Sequence, residues 1–134
     1  AVAADAPALL ALGVPERSPE ALADLAPPDL ADDAREAARR LAGWPLALVH
    51  GDLSCANVTL DGERVLMGEW RWASLGCALL DIVRLTGDLI ARGEAVLGIG
   101  LSRVYGSLID RTIGSDELRA AELLEKVAAR AVRD

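Results

Sequence analysis

A single β-hairpin signal lies in the middle of a chain whose other patterns are helical. The runs Val58-Thr59-Leu60 and Arg64-Val65-Leu66-Met67 are β-prone, and Asp61-Gly62 between them is a strong turn signal. The apolar run at residues 46–49 predicts a further short strand just before this region. We therefore predict an α+β, mostly α-helical fold in which helices flank one small hairpin.

Helix signals lie on both sides of the hairpin. Ser18 and Pro19 form a favourable N-terminus, and the helix they begin should stop before Pro27-Pro28. Asp29 is predicted to cap a second helix, which Gly43 and Pro45 end. The segment before Ser18 is weakly patterned and fits either helix or coil.

Three more helices are predicted after the hairpin. The first follows Gly76 and carries Asp81 among apolar residues, and the second spans about residues 94–110. The third begins at Ser115 with acids in its first turn, and it has Arg130 and Arg133 in its last turn, as suits the helix dipole.

Composition restricts the class of protein. The chain has 134 residues, is 52% hydrophobic and contains no Phe, which indicates one domain with an aliphatic core. The formal net charge is −7 and Lys126 is the only lysine, so we expect no nucleic-acid partner. An anionic phosphate would need neutralisation by a metal ion or by another part of the protein.

The sequence has no membrane-spanning run, no signal peptide and no disulfide framework, which predicts a cytoplasmic protein. Cys55 and Cys77 are therefore predicted to be reduced thiols.

One loop carries the residue types that phosphoryl transfer needs. His50-Gly51-Asp52-Leu53 is followed by Asn57, five positions after Asp52, which is the spacing of the kinase catalytic loop. A carboxylate must orient the attacking hydroxyl, and oxygen ligands must hold the magnesium that bridges the phosphates. Because the loop joins two strands, Asp52 and Asn57 can point into one cleft, and the hairpin returns the chain to Glu69 beside them.

The segment from about residue 46 to residue 85 resembles the aminoglycoside phosphotransferase and choline kinase-like family, whose members have a protein kinase-like fold. The family pattern is an apolar strand, His-Gly-Asp-Leu, Asn, a hairpin, Ile-Asp-Trp, Gly-Asp-Pro and an Asp at a helix start. The matching segments here are Val49-His50-Gly51-Asp52-Leu53, Asn57-Val58, Gly68-Glu69-Trp70, Gly76-Cys77-Ala78 and Leu80-Asp81-Ile82.

The resemblance implies roles for five residues. Asp52 would be the catalytic carboxylate, Asn57 and Glu69 would bind Mg²⁺, and His50 and Asp81 would be buried supports of the catalytic loop. The cofactors implied are Mg²⁺ and ATP. The chain has Glu69 where the family has Asp, and it has Cys77-Ala78 in place of Asp-Pro.

No residue is assigned to nucleotide binding, because the chain has neither a glycine-rich phosphate loop nor a strand lysine. Residues 1–134 are thus interpreted as a single domain, a partial C-terminal lobe that lacks the N-terminal nucleotide lobe. Within it, the catalytic loop spans 50–57, the hairpin 58–68 and the later helices 79–133.

The function implied is that of the C-terminal lobe of an ATP-dependent phosphotransferase acting on a hydroxyl of an aminoglycoside- or choline-like small molecule. The chain alone is expected to be inactive. The alternative is a degenerate kinase-like module that binds without catalysis. The expected partners are a small-molecule acceptor and either the missing N-terminal lobe or a second copy, contacted through exposed apolar surface. A nucleophilic role for Cys55 is disfavoured, since no basic neighbour would lower the pKa of its thiol.

Overall fold

The computed structural model describes residues 6–133 of the chain, and in that range it is an α+β structure dominated by helices. This range contains six α-helices and five short strands, and a π-helical turn at Ala129–Arg133 follows α6. The helices are α1 (Ala6–Ala11), α2 (Pro19–Asp24), α3 (Ala31–Arg40), α4 (Leu79–Ala91), α5 (Ala95–Leu108) and α6 (Ser115–Ala128). The strands are β1 (Glu16–Arg17), β2 (Ala47–Val49), β3 (Val58–Asp61), β4 (Arg64–Met67) and β5 (Ser74–Gly76).

The five strands form two small sheets. In the first, β5 is the middle strand, parallel to β1 and antiparallel to β2. The second is the antiparallel hairpin of β3 and β4, with Val58 opposite Met67 and Asp61 opposite Arg64. It forms at the predicted residues because Gly62, with φ of 62°, supplies the left-handed conformation that its tight turn requires.

The start of α2 is as predicted, and the start of α3 is not. The Ser18 hydroxyl accepts a hydrogen bond from the Ala21 amide at 3.2 Å, and Pro19 is the first residue of α2. The prediction that Asp29 caps the next helix is wrong. A turn in which the Leu30 amide donates to the Pro27 carbonyl delays α3 to Ala31, and the Asp29 carboxylate lies 3.3 Å from Arg130 instead.

The end of the last helix also differs from the prediction. The α-helical part of α6 stops at Ala128, and the chain continues through the π-helical turn, so Arg130 and Arg133 lie beyond it. At the other end, the Gly114 amide donates to the Glu117 carboxylate at 3.1 Å, which closes the first turn. After the change of helical pitch, Arg133 reaches the loop at residues 50–57, where it donates to the Gly51 carbonyl.

The core is aliphatic, as the composition predicts. It lies among α2, α3, α4 and α6, and its fully buried members include Leu22, Leu41, Leu79 and Leu124. Trp44 closes one end, 5% exposed, with the Arg111 guanidinium 3.9 Å from its ring centroid. Across residues 6–133, none of the helices has the length and apolarity needed to cross a membrane.

Candidate functional site

The loop after β2 depends on a glycine. Val49 ends β2, and Gly51 has φ of 87°, a conformation that side chains with a Cβ rarely adopt. A Cβ built at Gly51 would lie 2.2 Å from the Trp72 carbonyl oxygen, far inside van der Waals contact. Both the backbone conformation and the close approach of residue 72 therefore require glycine between His50 and Asp52.

His50 links the loop to the end of the hairpin. It is only 2% exposed, and its Nδ1 accepts a hydrogen bond from the Asp52 amide at 3.2 Å. An amide can only donate, so the ring proton lies on Nε2, which donates to the Gly68 carbonyl at 2.6 Å. The Trp70 ring packs against the imidazole with centroids 4.7 Å apart. These contacts join the buried imidazole to the loop and to the end of the hairpin; the role of His50 as a support of a catalytic loop stays a prediction.

A polar stripe on α4 holds the other side of the loop. Asp81, Arg84 and Asp88 are spaced i, i+3 and i+7, so they share one face of the helix. The Asp81 carboxylate accepts hydrogen bonds from the amides of His50 at 2.7 Å and Gly51 at 3.1 Å. Two turns further, Asp88 accepts from the Cys55 amide at 2.7 Å. The helix thus supplies acceptors for loop amides that have no partner in a strand.

The Asp52 carboxylate lies between two guanidinium groups. Its Oδ1 is 3.3 Å from Arg84 Nε and 3.8 Å from Arg133 Nε. Arg133 also donates to the Gly51 carbonyl at 2.7 Å and pairs with Glu125. Within residues 6–133 no protein group donates to Asp52 Oδ2, and the side chain is 30% exposed. One carboxylate oxygen is therefore fixed, and the other can accept a hydrogen bond from a ligand.

Asn57 closes the loop. Its side-chain amide donates to the Asp52 carbonyl at 2.9 Å, and its own carbonyl accepts from the Gly68 amide at 2.9 Å. The hairpin therefore returns the chain to Asn57, as the sequence predicts. The next residue, Glu69, adopts a left-handed conformation with φ of 59°, and its side chain is 66% exposed and lies 3.8 Å from Arg71.

The two residues implied as magnesium ligands lie at the two ends of the hairpin, and their side chains have different partners. Asn57 leaves its Oδ1 available, but the Glu69 carboxylate pairs with Arg71 in solvent. Nowhere in residues 6–133 do three or more His, Cys, Asp or Glu side chains group in a way that could hold a metal ion. Octahedral Mg²⁺ coordination requires oxygen ligands at closely defined distances, so we derive no chemical step through a metal here.

Two buried carboxyl groups near the loop have raised pKa values. Burial raises the pKa of Asp81 above its usual value of 3.8, and the hydrogen bonds from His50 and Gly51 only partly oppose that rise. Burial likewise raises the pKa of Glu125, against the opposing effect of the Arg133 guanidinium. These two groups thus retain protons more readily than free carboxylates would, whereas the hydrogen bond from the Cys55 amide lowers the pKa of Asp88.

We expect the stability advantage of the wild type over Asp81→Asn to shrink as the pH rises from 3.5 to 7. Between its unfolded value near 3.8 and its raised folded value, Asp81 keeps a proton that the unfolded chain has lost. The unfolded state then binds fewer protons, so the free energy of unfolding falls as pH increases. Urea unfolding of both proteins across this range measures the difference.

Glu36→Gln provides a control of opposite sign. The Arg39 side chain lowers the pKa of Glu36, so the wild-type advantage over this variant should grow as the pH rises. A constant or widening difference for Asp81→Asn would show that its amide hydrogen bonds outweigh the cost of burial.

Both cysteines are poor nucleophiles. Burial raises the pKa of the Cys77 thiol to about 11. The hydrogen bond to Asp88 raises the pKa of Cys55, which lies inside the loop. Both are free thiols. Because the thiolate is the reactive form, these raised pKa values disfavour both thiols as nucleophiles.

The loop opens to solvent and not into a deep pocket. A cavity of about 30 Å³, the size of one water molecule, lies between Gly51, Trp72 and Arg133. A cleft of about 800 Å³ lies between α4, α5 and α6, but Thr86 and Ile90 line it from the face of α4 opposite Asp81. It is therefore separate from Asp52.

Sequence reasoning located His50, Asp52, Asn57 and Asp81, and the structure brings them together around one loop. It missed Arg84, Asp88, Glu125 and Arg133. A signal for the first two was present, because charged residues at i, i+3 and i+7 in an otherwise apolar helix indicate a face with polar partners. Comparison with protein-family models, curated proteins and solved structures returned no match.

Proposed function

We propose that this chain is the C-terminal, kinase-like lobe of a phosphotransferase that moves a phosphoryl group from ATP to a hydroxyl of a small molecule. The observation that carries the proposal is the state of Asp52. Its Oδ1 is fixed by Arg84, and its Oδ2 has no donor within residues 6–133. Its backbone carbonyl accepts a hydrogen bond from Asn57, five positions later.

The reaction uses this free oxygen as a hydrogen-bond acceptor. The acceptor hydroxyl donates to Asp52 Oδ2, which orients its oxygen toward the terminal phosphorus of the nucleoside triphosphate. A new P–O bond forms to the acceptor oxygen. The bond from phosphorus to the bridging oxygen breaks, and its electron pair leaves with the nucleoside diphosphate. The hydroxyl proton passes to Asp52 and then to solvent.

Magnesium at Asn57 and Glu69, ATP as the phosphoryl donor and a cytoplasmic location remain predictions. So does a partner for the exposed apolar surface, which includes one face of the hairpin. Leu60 opposes Val65 on that face, and they are 74% and 59% exposed, with Met67 at 45% beside them. Contiguous exposed apolar side chains favour an interaction partner, either the predicted N-terminal lobe or a second copy.

The reaction is tested by ³¹P NMR on the protein in its full natural length with Mg-ATP. The acceptors are an aminoglycoside, choline, a sugar and an amino alcohol, since the residues around Asp52 do not select among them. We expect a phosphomonoester signal with at least one acceptor class. Binding of ATP, seen as a thermal shift, together with no phosphomonoester from any class, would contradict the transfer reaction.

The second candidate function is a non-catalytic binding module. The observation in its favour is Glu69, whose exposed carboxylate pairs with Arg71 and not with groups beside Asn57. Such a module would give the ATP-dependent thermal shift without turnover, and Glu69→Asp would not create turnover. Restored transfer in Glu69→Asp would instead identify a kinase weakened at this position.

A further inference from the structure

Arg84 is the accessible cation beside Asp52. Its Nε lies 3.3 Å from Asp52 Oδ1, and its side chain is 32% exposed. Arg133 also contacts this oxygen but is only 13% exposed, and it is committed to the Gly51 carbonyl and to Glu125. Of the two guanidinium groups, Arg84 is the one that a ligand at Asp52 can reach.

Arg84 also has hydrogen-bonding capacity to spare. Its single hydrogen bond uses Nε, and no acceptor within residues 6–133 is hydrogen-bonded to its two terminal nitrogens. A guanidinium has five N–H donors, so four remain, in the planar arrangement that binds two oxygens of a phosphate at once. Its neighbours on the same face of α4 differ, because Asp81 and Asp88 accept hydrogen bonds from loop amides.

Transfer of an anionic phosphoryl group at Asp52 needs a positively charged group such as the Arg84 guanidinium. The transferred phosphoryl group is anionic, the chain carries a net charge of −7, and its single lysine, Lys126, lies on α6. Positive groups aimed at the equatorial oxygens lower the barrier to phosphoryl transfer.

We propose that Arg84 is a catalytic residue that binds the non-bridging oxygens of the phosphoryl group while it passes to the acceptor hydroxyl at Asp52. The proposal rests on the proposed function. The Nε contact with Asp52 fixes the guanidinium at the point of attack, and the terminal nitrogens contact the phosphate. The ligand class is a phosphoryl oxyanion.

Kinetics of the full natural protein test the assignment. With the acceptor found by ³¹P NMR, Arg84→Gln should lower kcat by about 10²–10³-fold, the usual loss for one transition-state donor, with little change in the acceptor KM. Arg84→Lys keeps the charge but not the paired donors, so it should lose about tenfold. The matched control is Arg92→Gln, on the same helix, which removes an ion pair of 3.2 Å to Asp88 and should change kcat less than threefold.

Phosphate binding is measured separately from turnover. Inorganic phosphate is titrated into ¹⁵N-labelled protein, and the Arg84 Nε–H signal, assigned by its loss in Arg84→Lys, should shift while that of Arg92 stays. A normal kcat in Arg84→Gln overturns the inference and leaves the transferase proposal intact. A phosphate-dependent shift without turnover in the wild type retains the anion site but overturns its role in transfer. An unmoved Arg84 signal together with no turnover in the wild type overturns both the Arg84 inference and the transferase proposal. Thermal midpoints within a few degrees of the wild type establish that the variants are folded.

Discussion

Replacing Asp52 with Asn is expected to lower kcat for phosphoryl transfer by about 10²–10⁴-fold, the usual contribution of a positioned general base. Asparagine keeps the size of the side chain and one acceptor oxygen, which Arg84 and Arg133 can still contact. The variant loses the anionic Oδ2 that has no protein donor within residues 6–133. The acceptor hydroxyl is then neither oriented by a carboxylate nor able to give up its proton. Initial rates of phosphomonoester formation by the full natural protein measure the loss.

Asp33→Asn is the matched control for this experiment. Asp33 is exposed in the first turn of α3, away from the loop, and its replacement should leave kcat unchanged. Because Asp52 pairs with two arginines, the thermal midpoint of Asp52→Asn is recorded as well, so that loss of fold is separated from loss of chemistry. An Asp52→Asn protein that is folded and retains more than a tenth of wild-type kcat would exclude Asp52 as the catalytic base.

The parts of the fold that sequence predicts well are those set by neighbouring residues. The hairpin follows from Asp61-Gly62 between β-prone runs, and the start of α2 follows from Ser18 and Pro19. The start of α3 was predicted too early because the turn after Pro27-Pro28 competes with a cap at Asp29. Local propensity does not decide between two such turns, since both satisfy the same backbone groups.

The candidate site likewise has residues that the sequence predicts and residues that only the structure reveals. The pattern from His50 to Asn57 locates the loop, and an acid among apolar residues indicates that Asp81 has a hydrogen-bonding partner. The contact between Arg133 and the Gly51 carbonyl joins residues 82 positions apart and depends on the π-helical turn that ends the chain's last helix. No local pattern encodes that change of pitch, so Arg133 and Glu125 could be found only from the three-dimensional structure.

For Glu69, the sequence predicts the position of the residue but not the direction of its side chain. Its place in the sequence, one residue after Gly68, puts its backbone beside Asn57, and the hairpin makes that position predictable. The direction of its side chain depends on the left-handed backbone at residue 69 and on the nearby Arg71. A motif specifies where a carboxylate enters a site, whereas a single dihedral angle decides whether the carboxylate faces the site or the solvent.

Gly51→Ala is expected to destabilise the protein by about 2–4 kcal/mol, since the left-handed conformation and the steric clash each add a cost of this order. The Cβ would lie 2.2 Å from the Trp72 carbonyl oxygen, so residue 51 or the turn at residues 70–72 must move. Movement of Gly51 breaks the Asp81 and Arg133 contacts with the loop, whose partners are then buried without hydrogen bonds. Urea unfolding measures the loss, and the transfer rate should fall with it because Asp52 is the next residue.

Gly62→Ala is the matched control, because it separates the backbone conformation from the clash. Gly62 also has positive φ, at 62°, but a Cβ there would meet nothing within 4 Å. Its replacement should therefore cost only the conformational strain, about 1 kcal/mol, and leave the loop unchanged. Equal losses of stability in the two variants would mean that the steric contact with Trp72 adds no cost at residue 51. The close packing between residues 51 and 72 would then not determine the position of Asp52.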